Sequence, residues 1–229
     1  MRFVGIDPAT HTGFVAIGAD GKLIGWIEFV AKGASAPARI NMILNEVYRH
    51  LKPEDDVCIE GFAMEAKFDT NKVSSGFNWG ARLATDRKVG KFFTATPNQL
   101  KKFVNVPEWE GEPGSKVKLD GKEVKRRVMA AVEGHWGDKP PTENIADAYV
   151  LARISEAVYR VRNGEKLLAE FHLEYQREVI WSIVDPKGYK EYSESKKKKP
   201  KPKSKSTKRR GKPAAVDSHT QMTEQQFLF

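Results

Sequence analysis

Three acidic residues occupy positions where a carboxylate is costly. Glu60 lies in the apolar run VCIEGF, Asp7 ends the run FVGID, and Asp147 lies inside the apolar helical pattern IADAYVLA. A buried, ionised carboxylate costs several kcal/mol unless a positive charge offsets it. Divalent cations such as Mg²⁺ and Mn²⁺ prefer oxygen ligands. The three residues therefore predict a site at which carboxylates converge on a metal ion.

The chemistry that such a site suits is phosphodiester hydrolysis. Two divalent ions about 4 Å apart can hold both the attacking water and the leaving oxygen of a phosphodiester. Each residue also has a simpler interpretation. Asp7 would suit a turn cap, Glu60 an ion pair with a core arginine, and Asp147 a charge on a helix face. His11, close to Asp7, either steers a water or is loop surface.

The elements that must position these acids can be predicted from the hydrophobic pattern. Strands are predicted at 3–7, 10–19, 22–30, 56–62 and 89–95. Helices are predicted at 37–51, 74–87, 97–103, 122–136, 143–161 and 165–184, with a Gly- and Pro-rich loop at 105–121. This order predicts an α/β fold with a mixed five-stranded sheet, three antiparallel strands first, and helices on both faces.

The predicted order also places the acids. Asp7 ends the first strand and Glu60 stands near the end of the fourth. If these strands are neighbours, both carboxylates lie at one edge of the sheet. Asp147 would approach that edge from the first turns of a helix laid across it.

Composition bounds the domain organisation. The chain has 229 residues, of which 40% are hydrophobic, and this favours one domain and a tail. We predict one α/β domain at 1–164, an added helix packed on it within 165–192, and a disordered tail at 193–229. No apolar leader or membrane-length run is visible. Cys58, the only cysteine, excludes an intrachain disulfide and favours a cytoplasmic protein.

The net charge of +9 is concentrated in the tail. Residues 193–216 hold eleven Lys and Arg against Glu194, a local charge of +10, so the rest of the chain carries 9 − 10 = −1. We interpret this segment as an arm that binds DNA phosphates without sequence preference. A solvated linker is the alternative. The arm includes Lys196, Lys197, Lys198 and Lys199.

Three motifs in this order resemble a known family. They are GIDPATHTG (5–13), IEGF (59–62) and NIADAYVLA (144–152). With TPNQLKKF and GKEVKRRV further along, the chain resembles the RuvC-type Holliday-junction resolvases of the RNase H-like superfamily, particularly phage members. The resemblance covers roughly residues 1–160. It implies an RNase H-like fold and, for a phage protein, a place in the cytoplasm of the host.

The resemblance also implies roles for individual residues. Asp7, Glu60 and Asp147 would bind two Mg²⁺ or Mn²⁺ ions. The family commonly has a fourth acid three residues before the last, where this chain has Asn144 next to Glu143, and either could fill that place. Lys101 and Lys122 match basic residues that family members direct at the scissile phosphate; we expect them to stabilise the transition state.

A DNA surface is expected beside the site. The segment 60–82 mixes aromatic and basic residues, and the family uses this region to open junctions and to form dimers. We expect Phe68 to act as a wedge between bases, with Lys67 and Lys72 on phosphates. Phe62 and Phe77 could instead be core residues. Because a four-way junction has two-fold symmetry, a homodimer is expected, and the 165–184 helix would widen its interface or cover the core.

The chain ends in QQFLF, which resembles the short peptide by which replication proteins dock on a sliding clamp. Apolar residues at the end of a polar tail are otherwise hard to explain. We expect Gln225, Leu228 and Phe229 to contact the clamp.

Together these features predict a metal-dependent, structure-selective endonuclease that nicks Holliday junctions and other branched DNA. Two alternatives stay open: an RNase H-like nuclease acting on RNA, and a catalytically inactive DNA-binding adaptor that docks on a clamp. A sugar-kinase-like phosphotransferase opens with a similar motif but needs two such domains, and this chain has room for one.

Overall fold

The computed structural model describes residues 1–62, 71–112 and 114–198, and for 71, 72, 197 and 198 it describes the backbone alone. A five-stranded sheet forms the centre of the fold, in the order β3-β2-β1-β4-β5. Its strands are β1 (Arg2–Asp7), β2 (His11–Gly18), β3 (Leu23–Val30), β4 (Asp56–Glu60) and β5 (Phe93–Ala95). The first three are antiparallel, and β4 and β5 run parallel to β1. This confirms the predicted mixed sheet.

Helices cover both faces of the sheet. They are α1 (Ala36–His50), α2 (Asn71–Val89), α3 (Pro97–Phe103), α4 (Gly121–Trp136), α5 (Glu143–Arg162), α6 (Glu174–Val184) and α7 (Pro186–Lys198). Helices α1 and α2 pack on one face, over Val4 and Ile6 of β1. Helix α5 packs on the other face with α3, α4 and α6, over Phe3. Alternate residues of β1 thus enter two cores, which explains why its sequence is apolar throughout.

Four predictions about element bounds were wrong. The predicted helix 165–184 is a short 3₁₀ helix (Leu168–Glu170) followed by α6. Strand β5 begins at Phe93 rather than at residue 89, because α2 continues to Val89 and the chain then turns at Gly90, which has a φ of 77°. The predicted loop 105–121 contains a hairpin of β6 (Trp109–Glu110) and β7 (Val117–Lys118).

The fourth wrong prediction concerns where the tail starts. Helix α7 runs to Lys198, so residues 193–198 are helical rather than disordered. Helix α6 ends at Val184 as predicted, and Pro186 is the first residue of α7, a position that suits its fixed φ. Tyr192 packs on Trp181 with ring centroids 4.8 Å apart, which ties α7 to α6. No helix within the three described ranges is long and apolar enough to cross a membrane.

Candidate active site at the sheet edge

Asp7 and Glu60 are neighbours at one edge of the sheet. Strands β1 and β4 are parallel, with Ile6 opposite Ile59, so the next residue of each strand is the acid that ends it. The two carboxyl groups are close enough for the charge of Glu60 to raise the pKa of Asp7. The sequence prediction that these two acids share one edge is therefore confirmed.

Asp147 reaches the same edge because α5 packs unusually close to the sheet. A Cβ atom added at Gly5 would lie 2.0 Å from the carbonyl oxygen of Ala148. A Cβ atom added at Gly13 would lie 2.1 Å from the carbonyl oxygen of Asn144. Any larger residue at either glycine would push α5 away. The two glycines thus bring Asp147 into electrostatic contact with Asp7 and Glu60.

Burial and mutual repulsion raise the pKa of all three carboxyl groups. For Asp7 the pKa lies well above its ordinary value, first through burial and then through the charge and hydrogen bond of Glu60. Burial, followed by the charge of Asp147, raises the pKa of Glu60 to about 7. Burial, followed by the charge of Asp7, raises the pKa of Asp147 to about 8. The fold therefore places three acids where burial and repulsion disfavour their ionised forms.

The donor chemistry of this trio fits a divalent cation, but the ligands do not form a preformed cage. Carboxylate oxygens are the ligands that Mg²⁺ and Mn²⁺ favour, and a cation would offset the repulsion among them. Yet within the described residues no three Asp, Glu, His or Cys side chains are arranged so that they could hold an ion as they stand. Because burial and repulsion raise the pKa of these carboxyl groups, a metal ion would have to displace protons from them. The ligand assignments therefore stay predictions.

Two lysines adjoin the carboxylates, and only one of them was predicted. Lys101 of α3 and Lys125 of α4 both lower the pKa of Glu60 by their charge. Lys101 forms an ion pair with Glu108, and the Lys125 ammonium lies 2.7 Å from the carboxylate of Glu143. The predicted Lys122 is exposed, one turn before Lys125. Lys125 is exposed as well, but it lines the cavity and Lys122 does not.

A cavity of about 410 Å³ opens beside these groups. Glu60, Asp147, Lys101 and Lys125 all line it, together with residues of the β6–β7 hairpin. A cavity with carboxylates and ammonium groups on its walls is suited to a phosphate group, whose oxygens would contact the lysines. Such a cavity combines metal-ligand chemistry with stabilisation of negative charge.

Glu28 is a site residue that the sequence analysis missed. Gly13 of β2 pairs with both Asp7 and Glu28, so one row across three strands places Glu28 near Asp7. The Glu28 carboxylate accepts hydrogen bonds from the Thr142 hydroxyl at 2.8 Å and the Asn144 amide at 2.9 Å. These bonds, with His11, outweigh desolvation and lower its pKa. Only the strand register, which the sequence leaves undefined, could have revealed it.

The two candidates for the fourth ligand both have partners. The side chain of Asn144 donates its N–H to Glu28, and that of Glu143 pairs with Lys125. An amide that donates its N–H to a carboxylate has its carbonyl oxygen left for another contact. Which of the two residues serves as a ligand stays an open prediction.

The other predicted binding residues are buried, engaged within the protein, or only partly described or not described by the structure. Phe77 is buried core, whereas half-buried Phe62 contacts Trp79 and lies 4.5 Å under the Arg82 guanidinium. The ammonium of Lys196 lies 3.1 Å from a Glu178 carboxylate oxygen, so this lysine is engaged within the protein. The backbones of three predicted lysines belong to described helices: Lys72, Lys197 and Lys198. The remaining predicted contacts lie outside the described residues: Lys67, Phe68, Lys199, Gln225, Leu228 and Phe229.

Two solved structures of a bacterial protein are similar to this fold. The Thermus thermophilus RuvC structure matches with a TM-score of 0.52 and 21% identity, over 72% of this chain and 97% of that chain. T. thermophilus RuvC in complex with Holliday junction substrate matches with a TM-score of 0.53 and 18% identity, over 72% and 96%. No protein-family profile and no curated protein matches the sequence. At these identities the likeness shows the fold alone, which is RuvC-like.

Proposed function

We propose that this protein is a metal-dependent, structure-selective endonuclease that nicks Holliday junctions and other branched DNA. One observation carries the proposal: Asp7, Glu60 and Asp147 adjoin one another, buried and mutually repelling, beside a cavity that two lysines line. The RuvC-like fold supports the substrate class, because one of the neighbours was solved with a Holliday junction.

The carboxylates would hold the metal, with Asn144 or Glu143 as a further ligand. Two Mg²⁺ or Mn²⁺ ions bound there would supply an activated water and offset charge on the phosphate. These carboxyl groups must be deprotonated before they can bind an ion. The ligand set is therefore assembled by deprotonation, and activity should rise as the pH passes the raised pKa values.

The lysines act on the phosphate itself. Lys125, and Lys101 while it stays paired with Glu108, would donate hydrogen bonds to the non-bridging oxygens of the scissile phosphate, since an ammonium has three N–H donors. Charge grows on these oxygens as water attacks, so the contacts strengthen in the transition state. Lys122, on the exposed face of α4, would contact a phosphate further along the strand.

The partners follow from the symmetry of the substrate. A homodimer would present two sites to the two-fold-symmetric junction. The basic tail would add affinity without sequence preference, and its last residues would tether the enzyme to a sliding clamp.

We expect that deleting residues 225–229 abolishes clamp binding and leaves the nicking of short junctions unchanged. Equal clamp affinity with and without these residues would contradict the tether.

The direct test is nicking of a labelled four-way junction in Mg²⁺. Replacing Asp7→Asn should lower the nicking rate at least ~100-fold, because a metal ligand is lost, while junction affinity stays within about twofold. Asp20→Asn, a change of an exposed acid in the β2–β3 turn, is the matched control and should nick normally. Full nicking by Asp7→Asn would end the assignment. RNA and RNA–DNA hybrids assayed alongside would test the nuclease acting on RNA.

A second candidate function is a catalytically inactive adaptor that binds branched DNA. The absence of a preformed three-ligand cage in the described parts of the chain favours it, as does a neutral Asn144. Such an adaptor would bind the junction with the same affinity in Mg²⁺ and EDTA and would nick in neither.

A further inference from the structure

The β6–β7 hairpin forms a wall of the catalytic cavity. Glu108 precedes β6, Lys118 ends β7, and Leu119 follows it; all three line the same cavity as Glu60 and Asp147. The Leu119 amide donates to the Glu108 carbonyl at 2.8 Å and closes the base of the hairpin. A DNA strand whose phosphate enters this cavity would therefore pass alongside the hairpin.

The hairpin is held in place from both sides. At its base, the Glu108 carboxylate pairs with Lys101 of α3. On the other side, the Glu110 carboxylate lies 3.0 Å from the Arg127 guanidinium of α4. Arg127 is itself bonded to Glu123 at 2.7 Å. These contacts place the hairpin before any ligand arrives, which reduces the entropy lost on binding.

The hairpin exposes apolar surface that the fold does not need. Trp109 is 50% exposed and Val117 is 69% exposed, although each is large enough to contribute to a core. Trp109 is paired across the hairpin with Lys118, whose ammonium lies 5.9 Å from the centre of the indole. An exposed indole offers a flat surface on which a base can stack, and the adjacent ammonium is close enough to contact a phosphate of the same nucleotide.

The charge balance of the hairpin selects an anionic partner. Two of its three acids, Glu108 and Glu110, are paired with Lys101 and Arg127. By contrast, Lys116 and Lys118 form no ion pair with any described residue. Glu112, the third acid, forms no ion pair with a described residue either, so the unpaired groups of the hairpin sum to one positive charge. Lys118 lies next to the aromatic face of Trp109, a combination that suits single-stranded nucleic acid.

We infer that Trp109 and Lys118 form a stacking site for an unpaired nucleobase of the strand being cut, with Lys118 on a phosphate adjacent to that base. The inference rests on the proposed function and extends it, since it makes unpaired bases beside the scissile phosphate part of what the enzyme recognises. A fully paired duplex, whose bases are already stacked, would not use the site.

The test uses the full chain and a four-way junction with 2-aminopurine beside the branch point, in EDTA so that the DNA stays intact. Binding of the unaltered protein should quench 2-aminopurine. Trp109→Ala should abolish the quenching and weaken junction affinity roughly 5- to 100-fold, the range for losing one stacked base, with duplex affinity changed less than about twofold. Trp109→Phe should retain most of the quenching. Leu167→Ala, which truncates another exposed apolar residue, is the control.

A second variant keeps the test independent of the folding of Trp109→Ala. Lys118→Gln removes an exposed charge and should lower junction affinity and reduce the slope of log affinity against log salt by about one. Sedimentation of each variant tests the rival occupant of this surface, a second copy of this chain. A dimer that dissociates in Trp109→Ala would overturn the inference.

If the unaltered protein nicks junctions in Mg²⁺, unchanged quenching and affinity in Trp109→Ala would overturn this inference but not the proposed function. Failure of the unaltered protein to bind or nick any branched DNA would overturn the proposed function as well.

Discussion

The two ends of the β1–β4 strand pair hold buried carboxylates in opposite situations. At the starting end, Asp55 is 1% exposed, and its carboxylate accepts hydrogen bonds from the Arg2 guanidinium at 2.9 and 2.7 Å. The backbone N–H of Lys52 adds a third at 2.7 Å. At the finishing end, Asp7 is 7% exposed, and its neighbours are the carboxylates of Glu60 and Asp147.

This contrast separates a structural acid from a functional one. Asp55 carries a charge that the fold compensates with a cation of its own, in a paired geometry that satisfies both oxygens. At the other end the pKa values of the acids are raised by burial and by repulsion among them, and the charges of Lys101 and Lys125 offset this only in part. Buried groups with strongly perturbed pKa values that face a cavity are candidates for function on physical grounds.

The largest expected effect comes from breaking the structural pair. Arg2→Met leaves the Asp55 carboxylate buried without its cation, and we expect it to lower the free energy of unfolding by about 3–5 kcal/mol. Chemical denaturation monitored by circular dichroism measures this loss. The double variant Arg2→Met with Asp55→Leu removes both charges and should recover most of the stability. A single variant as stable as the unaltered protein would show that the pair does not hold this end of the sheet.

At the functional end, removing a charge should stabilise the metal-free protein. Asp147 has an ordinary pKa of 3.8 and a raised value of about 8 when folded, so the folded state binds more protons between these values. The free energy of unfolding should therefore fall as the pH rises from about 4 to about 8. Asp147→Asn removes the contribution of Asp147 to this dependence and should raise the unfolding temperature in EDTA at pH 8 by at least ~3 °C.

Asp20→Asn serves as the control for that experiment and should leave the unfolding temperature unchanged. Equal unfolding temperatures for Asp147→Asn and the unaltered protein at pH 8 would mean that Asp147 is not strained in the folded state. The comparison between the two ends of the strand pair would then lose its basis.

Much of this arrangement could be predicted from the sequence, because burial leaves a strong periodic signal. The apolar runs around Asp7 and Glu60 define strands, and an acid at the end of such a run is conspicuous. What the sequence hides is side-chain direction and register. Lys122 and Lys125 lie three residues apart on one helix, and nothing in the pattern decides which faces the acids. Glu28 joins the site only because three strands align it with Asp7.

The missed elements have a related cause. Strands β6 and β7 have two residues each, too few for a period-two pattern to appear. Their Gly- and Pro-rich surroundings are typical of loops. The end of α7 was missed because its lysines resemble a disordered tail, whereas contacts of Tyr192 with Trp181 and of Lys196 with Glu178 hold it to α6. Tertiary contacts such as these are not visible in local composition.

The central claim is that three buried, repelling carboxyl groups form a site that a divalent cation completes. Isothermal titration of the full chain with Mn²⁺ at pH 8 tests it most directly, with Asp147→Asn and the control Asp20→Asn measured in parallel. The account predicts that the unaltered protein and Asp20→Asn bind Mn²⁺ with release of protons, and that Asp147→Asn binds at least ~10-fold more weakly. Absence of Mn²⁺ binding, or equal affinity in all three proteins, would contradict it.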